Sequence, residues 1–129
     1  MIKDSEVIVF DIDGTLCEEL KPKQSYLDAA VNEPMVEKLK EYKKNGYYII
    51  LNTSRNMRSY EGNVGRINAN TAKVLFQWLE MHDIPFDEIH YGKPWCGHNG
   101  FYVDDKAVRP DEFLKYSHEQ IIELLAKKK

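Results

Sequence analysis

Short apolar runs that each stop at a polar residue, separated by stretches of helical periodicity, constrain this chain more than any other feature. Val7, Ile8, Val9 and Phe10 form the first run and end at Asp11, as a buried central strand does. Pro34 stands where a first helical turn begins. Val36, Leu39 and Tyr42 then recur at helical spacing, and Asn45 with Gly46 is a stop signal, so a helix is expected over residues 34–44. Tyr47, Tyr48, Ile49, Ile50 and Leu51 give a second strand running into Asn52 and Thr53. Residues 55–70 carry Gly62, Gly65, several Asn residues and three arginines without periodicity. They read as a long loop, and loops of that length in compact domains usually serve function. Val74, Leu75, Trp78 and Leu79 form the next helical face, closed by Ile84 and Pro85. A short strand over residues 88–91 leads to Gly92 and Lys93, and Gly100, Phe101, Tyr102 and Val103 read as a fourth strand running into Asp104 and Asp105. Ser117 with Gln120 is a capping box for a last helix whose apolar face is Ile121, Ile122, Leu124 and Leu125.

Strands alternating with helices imply βαβ units, right-handed crossovers and a mostly parallel α/β sheet. The length, 129 residues, suits one domain over residues 1–129. In such sheets ligands bind beyond the carboxyl ends of the strands. Asp11 and Asp13, Thr53, Lys93, and Asp104 with Asp105 all fall at such ends.

Composition removes several classes of partner. The net charge is -3, with Lys and Glu interspersed rather than gathered in a basic stripe, so neither nucleic acid nor an anionic membrane is expected. Lys127, Lys128 and Lys129 read as a solvated helix end. No apolar run approaches the roughly 20 residues of a membrane helix. The opening MIKDSE lacks the basic and apolar regions of a signal peptide, so a cytoplasmic location is expected. Cys17 and Cys96 have no CxxC spacing and are expected as free thiols. His82, His90 and His118 show no ligand spacing.

The sharpest local signal is DIDGT, Asp11 to Thr15, directly after a strand. Two carboxylates two residues apart beside a Gly allow one side chain to face a substrate and the second to exchange a proton with a leaving group. The intervening backbone can meanwhile offer a carbonyl to a cation. That layout suits phosphoryl transfer to Asp11, with Asp13 protonating the departing alkoxide and later deprotonating water. An acidic turn is the competing reading for an isolated DxDG. A calcium loop is disfavoured because the further acidic ligands are missing. A phosphate beside carboxylates requires compensating cations. Lys93 can supply one, Thr53 a hydroxyl and an amide, and Asp104 and Asp105 can complete an oxygen-rich magnesium site with Asp11 and the Asp13 carbonyl.

DIDGT at Asp11, Thr53 after the second strand, Lys93 and the acidic pair Asp104 and Asp105 resemble, in order, the four motifs of the haloacid dehalogenase-like hydrolases. The resemblance implies a Rossmann-like three-layer α/β/α fold, dependence on Mg2+, and an aspartyl-phosphate mechanism on a phosphate ester. Of the acidic pair, Asp104 is the favoured direct ligand. The stretches TSRNMRSYEGNVGRINA and GKPWCGHNGFYVDDKAVRPDEF are similar to small phosphatases of bacterial capsule and surface-polysaccharide clusters. That similarity implies a small phosphorylated metabolite as substrate, a sugar or a capsule precursor. The intervals between the motifs leave no room for a cap domain, so an open site is expected, covered by the loop 55–70 or by a neighbouring subunit of a homo-oligomer. Substrate contacts are expected from Gly14, Thr15, Ser54, Arg55, Arg58 and Arg66, and from Trp95 and His98 as stacking or hydrogen-bonding groups. A receiver-like module phosphorylated on aspartate, or an inactive scaffold of the same fold, are the alternatives.

Overall fold

The β-branched run at the start of the chain forms strand β1 (Val7–Asp11), which lies parallel to β2 (Tyr48–Thr53), with Val7 opposite Tyr48 and Asp11 opposite Asn52. The structure is a computed structural model and describes residues 6–127. Strand β2 pairs on its other side with β3 (Glu88–Tyr91), again parallel, with Thr53 opposite Tyr91. The sheet order among the described residues is therefore β1-β2-β3. Parallel register aligns the carboxyl ends of all three strands, and it does so at Asp11, Thr53 and Tyr91. The central strand shows the alternation expected of its pleat: Ile49, Leu51 and Thr53 are buried.

Helix α1 (Glu33–Lys44) crosses from β1 to β2. Asn32 caps it by accepting from the Met35 N–H at 3.2 Å, Pro34 sits in the first turn, and Met35, Val36, Leu39 and Tyr42 turn inward. The chain leaves the helix through Gly46 at φ +93°, a conformation that glycine adopts without a Cβ penalty. Ahead of α1, Ser25 caps a single 3-10 turn over Tyr26–Asp28.

The second crossover differs from expectation. Residues 55–70 are not loop throughout: α2 (Val64–Asn70) is helical, with the Asn63 side chain accepting from the Arg66 N–H at 3.1 Å. Its one buried side chain, Ile67, leaves no repeat for periodicity to detect. Helix α3 (Ala72–Met81) follows and buries Leu75, Trp78 and Leu79, the face its spacing predicts. The Trp78 Nε1–H donates to the Ala29 carbonyl at 3.0 Å, which ties α3 to the chain ahead of α1.

The chain divides into two compact units, Met1–Trp95 and Cys96–Lys129, and the sheet with α1 to α3 belongs to the first. In the second unit, residues 100–103 do not form the expected strand. Phe101 and Val103 are 80% and 90% exposed, and among the described residues their own unit holds no strand with which to build a ladder. Strand propensity reflects fit to a half-buried pleated surface, which these side chains lack within that unit. Helix α4 (Pro110–Lys115) had no apolar repeat to announce it; Pro110 opens it, and Glu112 reaches back to the Arg109 N–H at 2.8 Å. Helix α5 (His118–Ala126) has the expected capping box, with Ser117 and Gln120 each accepting from the other's N–H. Lys127 follows α5, while Lys128, Lys129 and the Met1–Ser5 opening lie outside the described residues. No cap domain is inserted between the elements, and no helix among the described residues is long and apolar enough to cross a membrane.

Candidate active site

Beyond β1 the backbone turns tightly around one carbonyl: the N–H groups of Thr15, Leu16 and Cys17 all donate to Ile12 O, and Gly14, at φ +85°, donates to Cys17 O at 2.8 Å. Ile12 is fully buried, and its anchoring leaves the flanking Asp11 and Asp13 partly exposed. Each carboxylate then meets a different cation.

Lys93 Nζ lies 3.4 Å from Asp11 Oδ1, with the Asp11 side chain 35% exposed. Lys93 is placed by the sheet, because its N–H donates to Thr53 O at 3.0 Å just past β3. Burial pushes the Asp11 carboxyl above its ordinary value, and the opposing pull of Lys93 and of the Ile12 N–H only partly offsets that.

Asp13 is gripped by Arg55. Arg55 Nη2 donates to Oδ1 at 2.8 Å and Nε to Oδ2 at 3.3 Å, the two-pronged geometry that suits a guanidinium to a carboxylate. The Arg55 side chain is 1% exposed and its Cζ stands 4.0 Å above the Tyr26 ring. Thr53 joins the same network. It is fully buried, its hydroxyl accepts from the Arg55 N–H at 3.0 Å, and the same hydroxyl lies 3.5 Å from Asp13 Oδ2. The Cys17 thiol approaches Asp13 Oδ1 at 3.6 Å, and burial, with the Asp13 charge second, pushes it up to about 12.

Arg55, an expected substrate contact, has two of its nitrogens on Asp13 and its side chain inside the protein. Its third guanidinium nitrogen, Nη1, is buried without a hydrogen-bond partner, as is the Tyr91 hydroxyl. Tyr91 feels Arg55 electrostatically, although burial dominates and raises its pKa. None of Tyr26, Tyr91 and Cys17 is expected at the site from sequence, because no motif in the chain connects them to Asp13.

The remaining expected residues fall in three groups. Arg58 and Trp95 come together, with Arg58 Cζ 5.7 Å from the centre of the indole, which is 40% exposed. Arg66 stands 4.8 Å over Tyr60, and Ser54 O accepts from the Met57 N–H at 3.0 Å in the turn that starts the loop. Asp104, Asp105 and His98 are exposed in the second unit, where Asp104 Oδ1 accepts from the Lys106 N–H at 2.9 Å. Among the described residues no three His, Cys, Asp or Glu side chains form a ready-made metal cluster. The first unit alone offers a cation the Asp11 carboxylate and the Asp13 carbonyl, a hard-oxygen donor set of the sparse kind magnesium accepts when waters and substrate oxygens fill the remaining positions. Both cysteines are free, as expected.

Residues 8–129 match the family model described as haloacid dehalogenase-like hydrolase. The fold is also similar to a crystal structure of a structural-genomics target from Vibrio cholerae, at 45% identity and a TM-score of 0.88, covering 93% of this chain and 96% of that one. None of the curated proteins matches the chain.

Proposed function

The chain belongs to the haloacid dehalogenase-like hydrolases, and from that premise we propose that it is a cytoplasmic, magnesium-dependent phosphatase of a small phosphomonoester. The observation that carries this is the division of labour between two carboxylates at the end of one strand: Asp11 faces Lys93 at 3.4 Å, while Asp13 is held in the fork of Arg55. The first arrangement suits a nucleophile that must approach an anionic phosphoryl group, and the second suits a proton carrier whose orientation must not drift.

In this reading an Asp11 carboxylate oxygen attacks phosphorus, the P–O bond to the leaving group breaks, and Asp13 delivers a proton to the departing alkoxide. Asp13 then takes a proton from water as the water oxygen attacks phosphorus, which breaks the bond to Asp11 and frees phosphate. Lys93 offsets the negative charge that Asp11 and the phosphoryl oxygens bring together. Thr53 holds the Arg55 backbone and the Lys93 backbone at the floor of the site, and through Arg55 it supports Asp13. Asp11 and the Asp13 carbonyl are the residues of the first unit that would hold magnesium, which would supply charge neutralisation at the phosphoryl oxygens when bound. The loop sequences favour a phosphorylated sugar or polysaccharide precursor as substrate. The test is magnesium-dependent phosphate release from a model ester by the wild type and by Asp11→Asn; loss of release in the variant is expected, and full activity there sinks the mechanism.

A further inference from the structure

We infer that Tyr26 is a positioning residue for proton transfer to the leaving group: its ring holds the Arg55 guanidinium, and through it the Asp13 carboxylate, in place; this rests on the phosphatase reading above. The starting point is how few contacts fix Arg55. Thr53 accepts from its backbone N–H at 3.0 Å, but several rotatable bonds separate that anchor from the guanidinium. At the far end, Nη2 and Nε meet Asp13 at 2.8 and 3.3 Å, and Nη1 is buried without a hydrogen-bond partner among the described residues. The Thr53 hydroxyl and the Cys17 thiol reach Asp13 only at 3.5 and 3.6 Å. The fork therefore fixes Arg55 relative to Asp13, but it does not fix the pair relative to a phosphate at Asp11.

Tyr26 supplies the missing support. Arg55 Cζ stands 4.0 Å from the centre of its ring. At that distance an approach in the plane of the ring would overlap ring carbons, which keep about 3.5–4.0 Å from another carbon, so the guanidinium lies over the face. The face attracts a cation, and more strongly where water is excluded, as it is around an Arg55 side chain that is 1% exposed. The ring is carried on fixed backbone although it lies outside the sheet. Ser25 Oγ accepts from the Leu27 N–H at 3.1 Å, Gln24 Nε2 donates to Asp28 O at 3.0 Å, and the buried Trp78 donates to Ala29 O at 3.0 Å. Tyr26 is thus tied to α3, independently of the strand that carries Asp13. A carboxyl that hands a proton to a departing oxygen must stand within about 2.6–3.2 Å of it. Asp13 is 31% exposed, so water competes for its oxygens. Misplacement by about 1 Å costs about a hundredfold, so removing one of the two supports of the guanidinium is expected to cost about tenfold in the step that uses the proton.

Benzyl phosphate and 4-nitrophenyl phosphate isolate that step. The benzyl alkoxide must receive the Asp13 proton as its bond to phosphorus breaks, whereas 4-nitrophenolate leaves without one. Because kcat/KM covers only the steps up to that departure, slow clearance of the aspartyl-phosphate does not enter it. Tyr26→Leu is expected to lower kcat/KM about tenfold for benzyl phosphate and by about twofold or less for 4-nitrophenyl phosphate. Tyr26→Phe keeps the ring face and is expected to recover most of the benzyl loss. Partial unfolding lowers both esters by the same factor, so equal losses in Tyr26→Leu overturn the inference, as does a Tyr26→Phe no better than Tyr26→Leu. In Arg55→Met the guanidinium is gone, so adding Tyr26→Leu is expected to change the benzyl value by about twofold or less. A further tenfold loss there, on the scale of about 1.4 kcal/mol, means that Tyr26 acts by another route and also overturns the inference. Equal losses on the two esters, with phosphate release still abolished in Asp11→Asn, reject this inference alone. Absence of magnesium-dependent release from either ester by the wild type overturns the phosphatase reading, and this inference with it.

Discussion

Removing the two halves of the Asp13 and Arg55 pair one at a time is expected to destabilise the protein unequally, because the halves are buried unequally. The Arg55 side chain is 1% exposed and the Asp13 side chain 31%. Asp13→Ala leaves a guanidinium inside the protein with no carboxylate, and it already has one buried nitrogen, Nη1, without a partner. Breaking a buried pair in that direction costs about 3–4 kcal/mol. Arg55→Met keeps most of the volume over the Tyr26 ring and leaves Asp13 where water can reach it. The loss is then that of charge-assisted hydrogen bonds to a hydrated group, about 1–2 kcal/mol. The difference of about 2 kcal/mol is roughly thirtyfold in the ratio of folded to unfolded protein. Urea unfolding of both variants in chelator at neutral pH reads it as a shift in midpoint at unchanged slope. The double variant is expected to be more stable than Asp13→Ala alone, since it removes the stranded cation. Equal losses, or a larger loss in Arg55→Met, would falsify the view that Arg55 is the buried and dependent partner.

Three further outcomes follow from the same contacts. Asp87 receives Lys43 Nζ on both oxygens at 2.7 Å and the Ile49 N–H at 2.9 Å, so Asp87→Ala is expected to cost about 1–2 kcal/mol in urea unfolding. The Ile49 N–H first, then Lys43, hold the Asp87 carboxyl below its ordinary value of 3.8, so its stabilisation is present above that pH and lost as pH falls through the lower folded value. The cost of the substitution should therefore be the same at pH 6 and pH 5 and shrink as the pH falls below 3.8; a cost that grows in acid contradicts the assignment. Cys17 is buried with its thiol pushed up to about 12, so a thiol reagent at pH 8 should label one cysteine per native chain, Cys96, and two in urea; fast labelling of two in the native state refutes the placement. Gly92→Ala forces a side chain at φ +91° against Val64 Cγ2, so a loss of about 1–2 kcal/mol and reduced phosphate release are expected; wild-type stability and release contradict the close approach.

Much of the sheet was legible because each of its strands is an apolar run with its own stop, and β1, β2 and β3 fall within a residue or two of the runs that announce them. Helices α1 and α3 were legible because their buried side chains recur at helical spacing, and α5 through its Ser117 and Gln120 capping box, although Ile121 is its one buried side chain. Helix α2 has Ile67 alone, and its Gly65, Asn68 and Asn70 are poor helix formers, so its helicity depends on the Asn63 cap and on packing that local pattern does not contain. Residues 100–103 show the converse, strand-forming side chains without a ladder in their own unit. At the site, the gathering of Asp11, Thr53 and Lys93 follows from parallel register, which brings the ends of neighbouring strands together. The destination of Arg55 does not follow from sequence. A side chain two residues past a strand can point out to substrate or in to a neighbour, and what decides is a carboxylate 42 positions earlier. Tyr26 and Tyr91 enter the same cluster from segments equally remote in the chain.

The central claim is that Asp11 becomes phosphorylated, and trapping that species tests it most directly. Wild-type protein mixed with magnesium and an aryl phosphate, quenched in acid within milliseconds and digested, should yield a peptide spanning Asp11 that carries one phosphoryl group removable by hydroxylamine. Asp11→Asn should yield none, and Asp13→Asn should accumulate more than the wild type because the water that clears the intermediate lacks its base. Phosphate release by the wild type with no phosphoryl group on that peptide at any quench time, and with Asp11→Asn still active, would contradict the account.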